Sequence, residues 1–236
     1  MFIYDQYPYL GICLILFVFL GLLWVLLPNQ RQCMVLSGLL SMPYGAASLV
    51  FVPEYWKPVL IIKSLTGLED ILFSLINGFL AWAIATVGLA RSCLHTLHPD
   101  FLLPRYWVCT CSGIGLSALI WFSGQSIMKA ALFSMAGLGL FILWTRKELW
   151  IVALTGALGF GLLYLLALKG VLLLNPDFLN QWNLANLSGI RFAGIPVEEI
   201  IWALGYGGIW PLFMHFVFEG SPIRPLIPIK GLPARN

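Results

Sequence analysis

Seven stretches of this chain, 8–27, 33–52, 67–90, 106–122, 127–144, 150–174 and 195–218, are each nearly free of charge and long enough to cross a lipid bilayer as a helix. A span of the ~30 Å hydrocarbon layer takes about 20 apolar residues. In lipid only helices and closed barrels satisfy their own backbone. The apolar runs are continuous, without the period-two alternation and roughly ten-residue spacing of barrel strands, so a barrel is excluded. With 60% hydrophobic residues and a mean hydropathy of +0.91 over 236 residues, the chain carries more apolar surface than one soluble core can hide. The expectation is an all-α integral membrane protein with seven transmembrane helices. Met1 to Tyr9 carries only Asp5 and no basic residue, and no small-residue cleavage site follows. The first stretch is therefore read as an uncleaved span.

Charge and cysteine content narrow the function classes. A net charge of +3, with no basic cluster interleaved with aromatics, argues against nucleic acid. Cys13, Cys33, Cys93, Cys109 and Cys111 are odd in number, lie mostly inside spans and form no CxxC pair, so they read as small apolar fillers. His95, His98 and His215 are too scattered for a facial metal site, and no metal is expected. Gly156, Gly159 and Gly161 echo a dinucleotide fingerprint without its strand or downstream acid, and no cofactor is expected. If the spans alternate, Lys57, Lys63, Lys129, Lys169 and Arg191 share one face. Arg31, Arg91, Arg105, Arg146, Lys147, Arg224, Lys230 and Arg235 share the other. The excess of positive charge favours a cytoplasmic C-terminus in the cell (inner) membrane.

Two acidic pairs, Glu69-Asp70 and Glu198-Glu199, open otherwise uncharged apolar runs. An acid inside a bilayer costs roughly 2.5–3.5 kcal/mol at the centre and less near a helix start, so such residues mark functional sites. Burial and a like-charged neighbour both favour keeping one proton per pair. A neutral acid beside an ionised one, in a dry cavity, is an arrangement for general acid and general base work. The plainer reading is a helix cap, or a bond to Lys63 or Arg191, because acids are favoured in a first helical turn.

The pairs also define an internal repeat. At an offset of 129 residues, Glu69-Asp70-Ile71-Leu72-Phe73 lies over Glu198-Glu199-Ile200-Ile201-Trp202, and Gly78 falls on Gly207. Each pair opens the third helix of a trio. The expected organisation is a first three-helix repeat at 1–90, a linker with a spacer helix at 91–126, a second three-helix repeat at 127–218, and a proline-rich basic tail at 219–236. One spacer helix makes the repeats parallel, and a pseudo-twofold along the membrane normal would gather all four carboxyls at one face. The linkers Pro53-Glu54-Tyr55-Trp56-Lys57-Pro58 and Asn180-Gln181-Trp182-Asn183 fit the headgroup level, as anchors, a lid or a lipid entrance.

On the last helix, Glu198, Trp202, Tyr206 and Ile209 recur at helical spacing, with Trp210 on the flank below Glu199. Aromatic faces stabilise a cation by ~0.5–2 kcal/mol each, so Trp202, Tyr206, Trp210 and Phe73 are candidate substrate-binding residues, against the ordinary alternative of packing. Gly205, Gly207 and Gly208 allow close helix approach or leave room for a slender ligand.

The run Gly194-Ile195-Pro196-Val197-Glu198-Glu199-Ile200-Ile201-Trp202, preceded by Trp182 and followed by Trp210-Pro211, resembles the Pro-x-Glu-Glu/Asp motif of the membrane lycopene cyclase family. The first repeat departs from it, with Gly67 where the motif has proline. The resemblance implies a non-redox isomerisation without cofactor. An acid protonates the terminal double bond of lycopene, or of a related linear carotenoid, the tertiary cation closes a six-membered ring, and a base removes a ring proton. It implies Glu198 and Glu199 as acid and base, with Glu69 and Asp70 as a second site or an opposite wall. The implied partners are the polyene and the lipid bilayer, with room for a homo-oligomer or other carotenoid enzymes.

Two rivals, one an enzyme and one a pigment protein, fail on single residues. A paired-glutamate intramembrane protease needs an arginine where Ala203 stands, and a microbial rhodopsin needs a lysine between Ile195 and Phe218, where there is none. The remaining alternative is a carotenoid- or lipid-binding membrane protein, or a small transporter, of the same fold without its chemistry.

Overall fold

The computed structural model describes residues 6–62, 66–87 and 99–218. Lys63, Arg91, Cys93, His95, His98 and the tail 219–236 with Arg224, Lys230 and Arg235 lie outside the described residues.

Eight α-helices are described. α1 is Pro8–Leu26, α2 Arg31–Ser41, α3 Ser48–Phe51, α4 Leu68–Val87, α5 Pro99–Phe122, α6 Ile127–Thr145, α7 Trp150–Leu174 and α8 Val197–Val217. Proline at the first turn of α1, with its fixed φ and missing donor, suits a helix start. Ser126 caps α6, its hydroxyl accepting from the Lys129 N–H at 3.5 Å. A 3-10 segment, Met42–Ala47, joins α2 to α3, so that Pro28–Phe51 works as one span.

Among the described residues, six helices are long and apolar enough to cross a membrane: α1, Pro28–Phe51, α4, α6, Lys147–Leu174 and α8. The fourth expected span, 106–122, falls inside α5, which has the length but is not among these six. Arg105, Thr110, Ser112 and Ser117 dilute its apolar character. Large apolar side chains stand exposed along the outside, among them Phe17, Val18, Leu22 and Val25 of α1 and Leu158, Leu162 and Leu166 of α7. In water each would cost ~25 cal/mol per Å² of apolar surface; against lipid tails the cost vanishes. Six such helices are consistent with a multi-pass membrane protein. Cys13, Cys33 and Cys109 are buried, as fillers would be, whereas Cys111 is exposed.

α4 and α8 pack against each other at the centre. α1 and α2 pack on α4, while α6 and α7 pack on α8. α5 lies outside, against α6 and α8. Gly78 and Gly207, aligned in the sequence, have the same task. A Cβ on Gly78 would lie 2.4 Å from Ser41 Cβ of α2, and one on Gly207 would lie 2.5 Å from the Gly156 carbonyl oxygen of α7. Each glycine lets the second helix of its trio approach the third. At the α7–α8 contact the fit is closer still. Pro211 has no N–H to offer the Gly207 carbonyl one turn earlier, and that oxygen would be 2.2 Å from a Cβ on Gly156.

The two linkers meet in an antiparallel bridge centred on Trp56 and Trp182. The Lys57 N–H donates to the Gln181 carbonyl at 2.6 Å, and the Asn183 N–H donates to the Tyr55 carbonyl at 2.8 Å. These two bonds exchange when the linkers are interchanged, so the bridge has local twofold symmetry. Glu54 ties it to α6, its Oε1 accepting from the Ile127 N–H at 2.8 Å.

A short hairpin leads into α8. β1, Arg191–Phe192, pairs with β2, Ile195–Pro196, in the register Arg191 to Pro196 and Phe192 to Ile195. The two loop residues both have positive φ, Ala193 at 52° and Gly194 at 85°, the form that matches strand twist. Ala193 adopts it with help from Lys169, whose Nζ donates to the Ala193 carbonyl at 2.8 Å.

Candidate active site

α4 and α8 each present two acids in their first turn. Consecutive helical residues point about 100° apart, so the members of a pair meet different neighbours. Glu199 is buried, with 4% of its surface exposed. Its Oε1 accepts from the Tyr55 hydroxyl and from the Trp182 indole N–H, the latter at 2.7 Å; its Oε2 accepts from the Tyr164 hydroxyl at 3.0 Å. No described lysine or arginine pairs with it, Arg191 included. Glu198 is half-exposed and turns to the preceding loop, where its Oε1 accepts from the Ser188 N–H at 2.7 Å.

The first repeat divides differently. Asp70 and Glu69 are both buried, at 2% and 1% exposed. Asp70 Oδ1 accepts from the Tyr9 hydroxyl at 3.0 Å and Oδ2 from the Gly67 N–H at 2.8 Å. Glu69 Oε1 accepts from the Ile61 N–H at 2.7 Å, and its Oε2 has no partner among the described residues.

Phe73 stands between the two clusters. Its ring lies 5.5 Å from Tyr9, 6.1 Å from Tyr164 and 5.9 Å from Trp202, on which it stacks. From there a column descends α8. Trp202 stacks on Tyr206 at 5.4 Å, Tyr206 stacks on Trp210 at 5.8 Å, and Trp210 meets Phe213 edge-on at 5.3 Å. Trp210 is thus part of the stripe, whereas Ile209 packs toward Gly139 of α6. The column's polar tips are satisfied by α2: Tyr206 shares a bond with Ser41 at 2.8 Å, and the Trp210 indole donates to Ser37 at 2.9 Å. Trp202, Tyr206 and Phe73 remain half-buried, while Trp210 is buried. Packing and an aromatic wall below the acid therefore coexist in the same residues.

In the sequence Tyr164 and Tyr9 carry no motif, and Tyr55 and Trp182 stand out only as linker residues, Trp182 also as a flank of the acidic motif. A buried Tyr or Trp needs a partner for its polar tip, and a phenol inside a run as apolar as 150–174 was the available signal. Burial, and secondarily the neighbouring Glu199, push the Tyr55 phenol well above its ordinary value, so it keeps its proton and donates. A deeply buried carboxylate that receives three neutral donors and no counter-charge can exchange a proton with a bound molecule, and it is held in one orientation while doing so.

Residues 125–217 match the family model described as lycopene cyclase. The match supports membership of that family. It takes in α6, α7 and α8, hence Tyr164, Trp182 and Glu199, but neither Tyr55 nor the acids of α4. No curated protein and no solved structure matches the chain.

Proposed function

We propose that this protein is a lycopene cyclase-like isomerase of carotenoid biosynthesis, closing the linear end groups of lycopene or a related polyene by cofactor-independent acid–base chemistry. The observation that carries this reading is the buried Glu199 carboxyl at the head of an aromatic column, oriented by Tyr55, Trp182 and Tyr164. The family match over residues 125–217 supports the same reading.

Glu199 handles the proton, and the rings of Phe73, Trp202 and Tyr206 face the positive charge that protonation creates. The tertiary cation gains ~0.5–2 kcal/mol from each aromatic face, and exclusion of water keeps it from being captured as an alcohol. Asp70 with Tyr9 forms the facing wall across Phe73. Glu198 and Glu69 secure the segments that frame the site, through Ser188 and Ile61. A C40 hydrocarbon is soluble only in the bilayer, so access is sideways among the helices. The two trios act as a parallel repeat, a reading supported by the symmetric linker bridge and the matched roles of Gly78 and Gly207. The protein resides in the cell (inner) membrane with its C-terminus cytoplasmic.

Expression in cells that accumulate lycopene tests the proposal. The expected result is conversion of the acyclic pigment to mono- or bicyclic product. Unchanged pigment from well-folded protein would instead favour a carotenoid- or lipid-binding role.

A further inference from the structure

The hydrogen bonds around Glu199 are unequal at its two oxygens. An ionised carboxylate has about four in-plane acceptor positions, two per oxygen. Oε1 has both filled, by Tyr55 and Trp182; Oε2 has one filled, by Tyr164. The remaining position is therefore on Oε2. Tyr164, which marks that side, packs edge-on to Trp202 at 5.2 Å and to Phe73 at 6.1 Å. The open position thus belongs to the aromatic side of the carboxyl, and the saturated oxygen to the linker side.

Tyr55 and Trp182 come from the two bridged linkers, one from each. Tyr55 lies next to Trp56, and Trp182 is itself the other bridge residue. The main-chain bonds of Lys57 and Asn183 fix both donors relative to each other before they reach the carboxyl. Because Tyr55 comes from the first half of the chain and Glu199 from the second, neither half completes this arrangement alone.

From this we infer, resting on the cyclase reading, that Glu199 works through Oε2 alone, giving a proton to the substrate and taking one back at the same oxygen. Tyr55 and Trp182 are positioning residues that occupy Oε1. When Glu199 is neutral, Oε2 carries the proton at its open position while Oε1 keeps both donors. The Oε2–H bond breaks as a C–H bond forms at the terminal alkene, leaving a tertiary cation. The electron pair of the second alkene closes the ring and moves the positive charge to a ring carbon. A C–H bond beside that carbon then breaks, its electron pair becomes the ring double bond, and the proton returns to Oε2. Atoms and charge balance, and Glu199 ends as it began. Where the proton leaves from the carbon at which the ring closed, that carbon and the one protonated first are both bonded to the same ring atom, so one oxygen reaches both.

The scheme has a signature that a two-carboxyl relay lacks. Each turnover hands the next substrate the proton taken from the previous one, because the buried oxygen, closed in by Tyr55, Trp182 and Tyr164, does not exchange with water while the site turns over at saturating lycopene. The test is cyclisation of lycopene in D2O by the full chain in lipid nanodiscs, with mass analysis of the ring. The expected result is well under one deuteron per ring formed, with Tyr55→Phe lowering kcat roughly tenfold, as loss of a bond to a charged group does, and leaving KM unchanged. One deuteron per ring would overturn the inference, because the proton taken back is then not the one handed on, and so would loss of activity in Asp70→Asn equal to that in Glu199→Gln, because that requires a second acid. If wild-type protein forms no ring at all, the cyclase reading itself fails, and the two failures are thus distinct.

Discussion

The first turns of α4 and α8 are aligned in sequence yet hold their third-position acids in different ways. Asp70 accepts from the N–H of Gly67, three residues back, the reciprocal half of a helix capping box. The residue aligned with Gly67 is Pro196, the residue preceding α8, and proline has no N–H to give. Glu199 therefore cannot fold back on its own helix start, and its oxygens take side-chain donors from three other segments instead. Among the differences between the repeats at the motif, glycine for proline distinguishes an acid tied to a helix cap from one held by side chains of other segments.

The sharpest test of this contrast removes the acids one at a time. Glu199→Gln should lower cyclisation by ~10²–10⁴, the usual worth of a positioned acid–base group, whereas Asp70→Asn should cost less than about tenfold. Product analysis in lycopene-accumulating cells, with protein amount normalised, checks both. Next in size is a packing effect. Gly156→Ala would drive its Cβ against the Gly207 carbonyl, a backbone atom that cannot swing aside, and should destabilise the protein by ~1–3 kcal/mol or more. Thermal unfolding in detergent measures it, and an unchanged midpoint would show that the α7–α8 contact is looser than described.

A subtler test exchanges the distinguishing residue. Pro196→Gly restores an N–H at the start of α8, which should draw a Glu199 oxygen toward the helix and reduce kcat by about tenfold, the energy of one ordinary hydrogen bond. If kcat does not change, the missing donor is not what frees Glu199. The smallest effect belongs to Glu198→Gln, which alters a half-exposed group bonded to one loop N–H. It should change kcat less than about threefold, because the amide keeps an oxygen for the Ser188 N–H and the group, whose Oε2 has no partner among the described residues, makes no hydrogen bond with the Glu199 cluster's donors. A large loss there would return Glu198 to the reacting pair that the motif implies.

Much of this was legible in the sequence because it depends on composition and local chemistry. The lengths of the apolar runs set the spans, and six of the seven expected became helices of membrane length and apolarity. The fourth, 106–122, lies within the helix α5, which is not one of these six. The offset between Glu69 and Glu198 and the alignment of Gly78 with Gly207 were visible as letters. What those glycines do was not, since close approach depends on which helix lies opposite. The site was half legible. The acids stood out because charge is rare in such runs, but the donors Tyr55, Tyr164 and Tyr9 carry no charge and lie 144, 35 and 61 residues from the acids they hold.

The amino-acid sequence by itself determined that this chain forms helices of membrane length and apolarity, and that four acids sit at the starts of two of them, because apolar length, proline and charge act locally. Only the tertiary structure decided that Glu199 rather than Glu198 turns inward and which of its oxygens is left open. That choice depends on donors brought across the molecule by the Trp56–Trp182 bridge and by the packing of α7 on α8, and no local property of Glu198 or Glu199 distinguishes them beforehand.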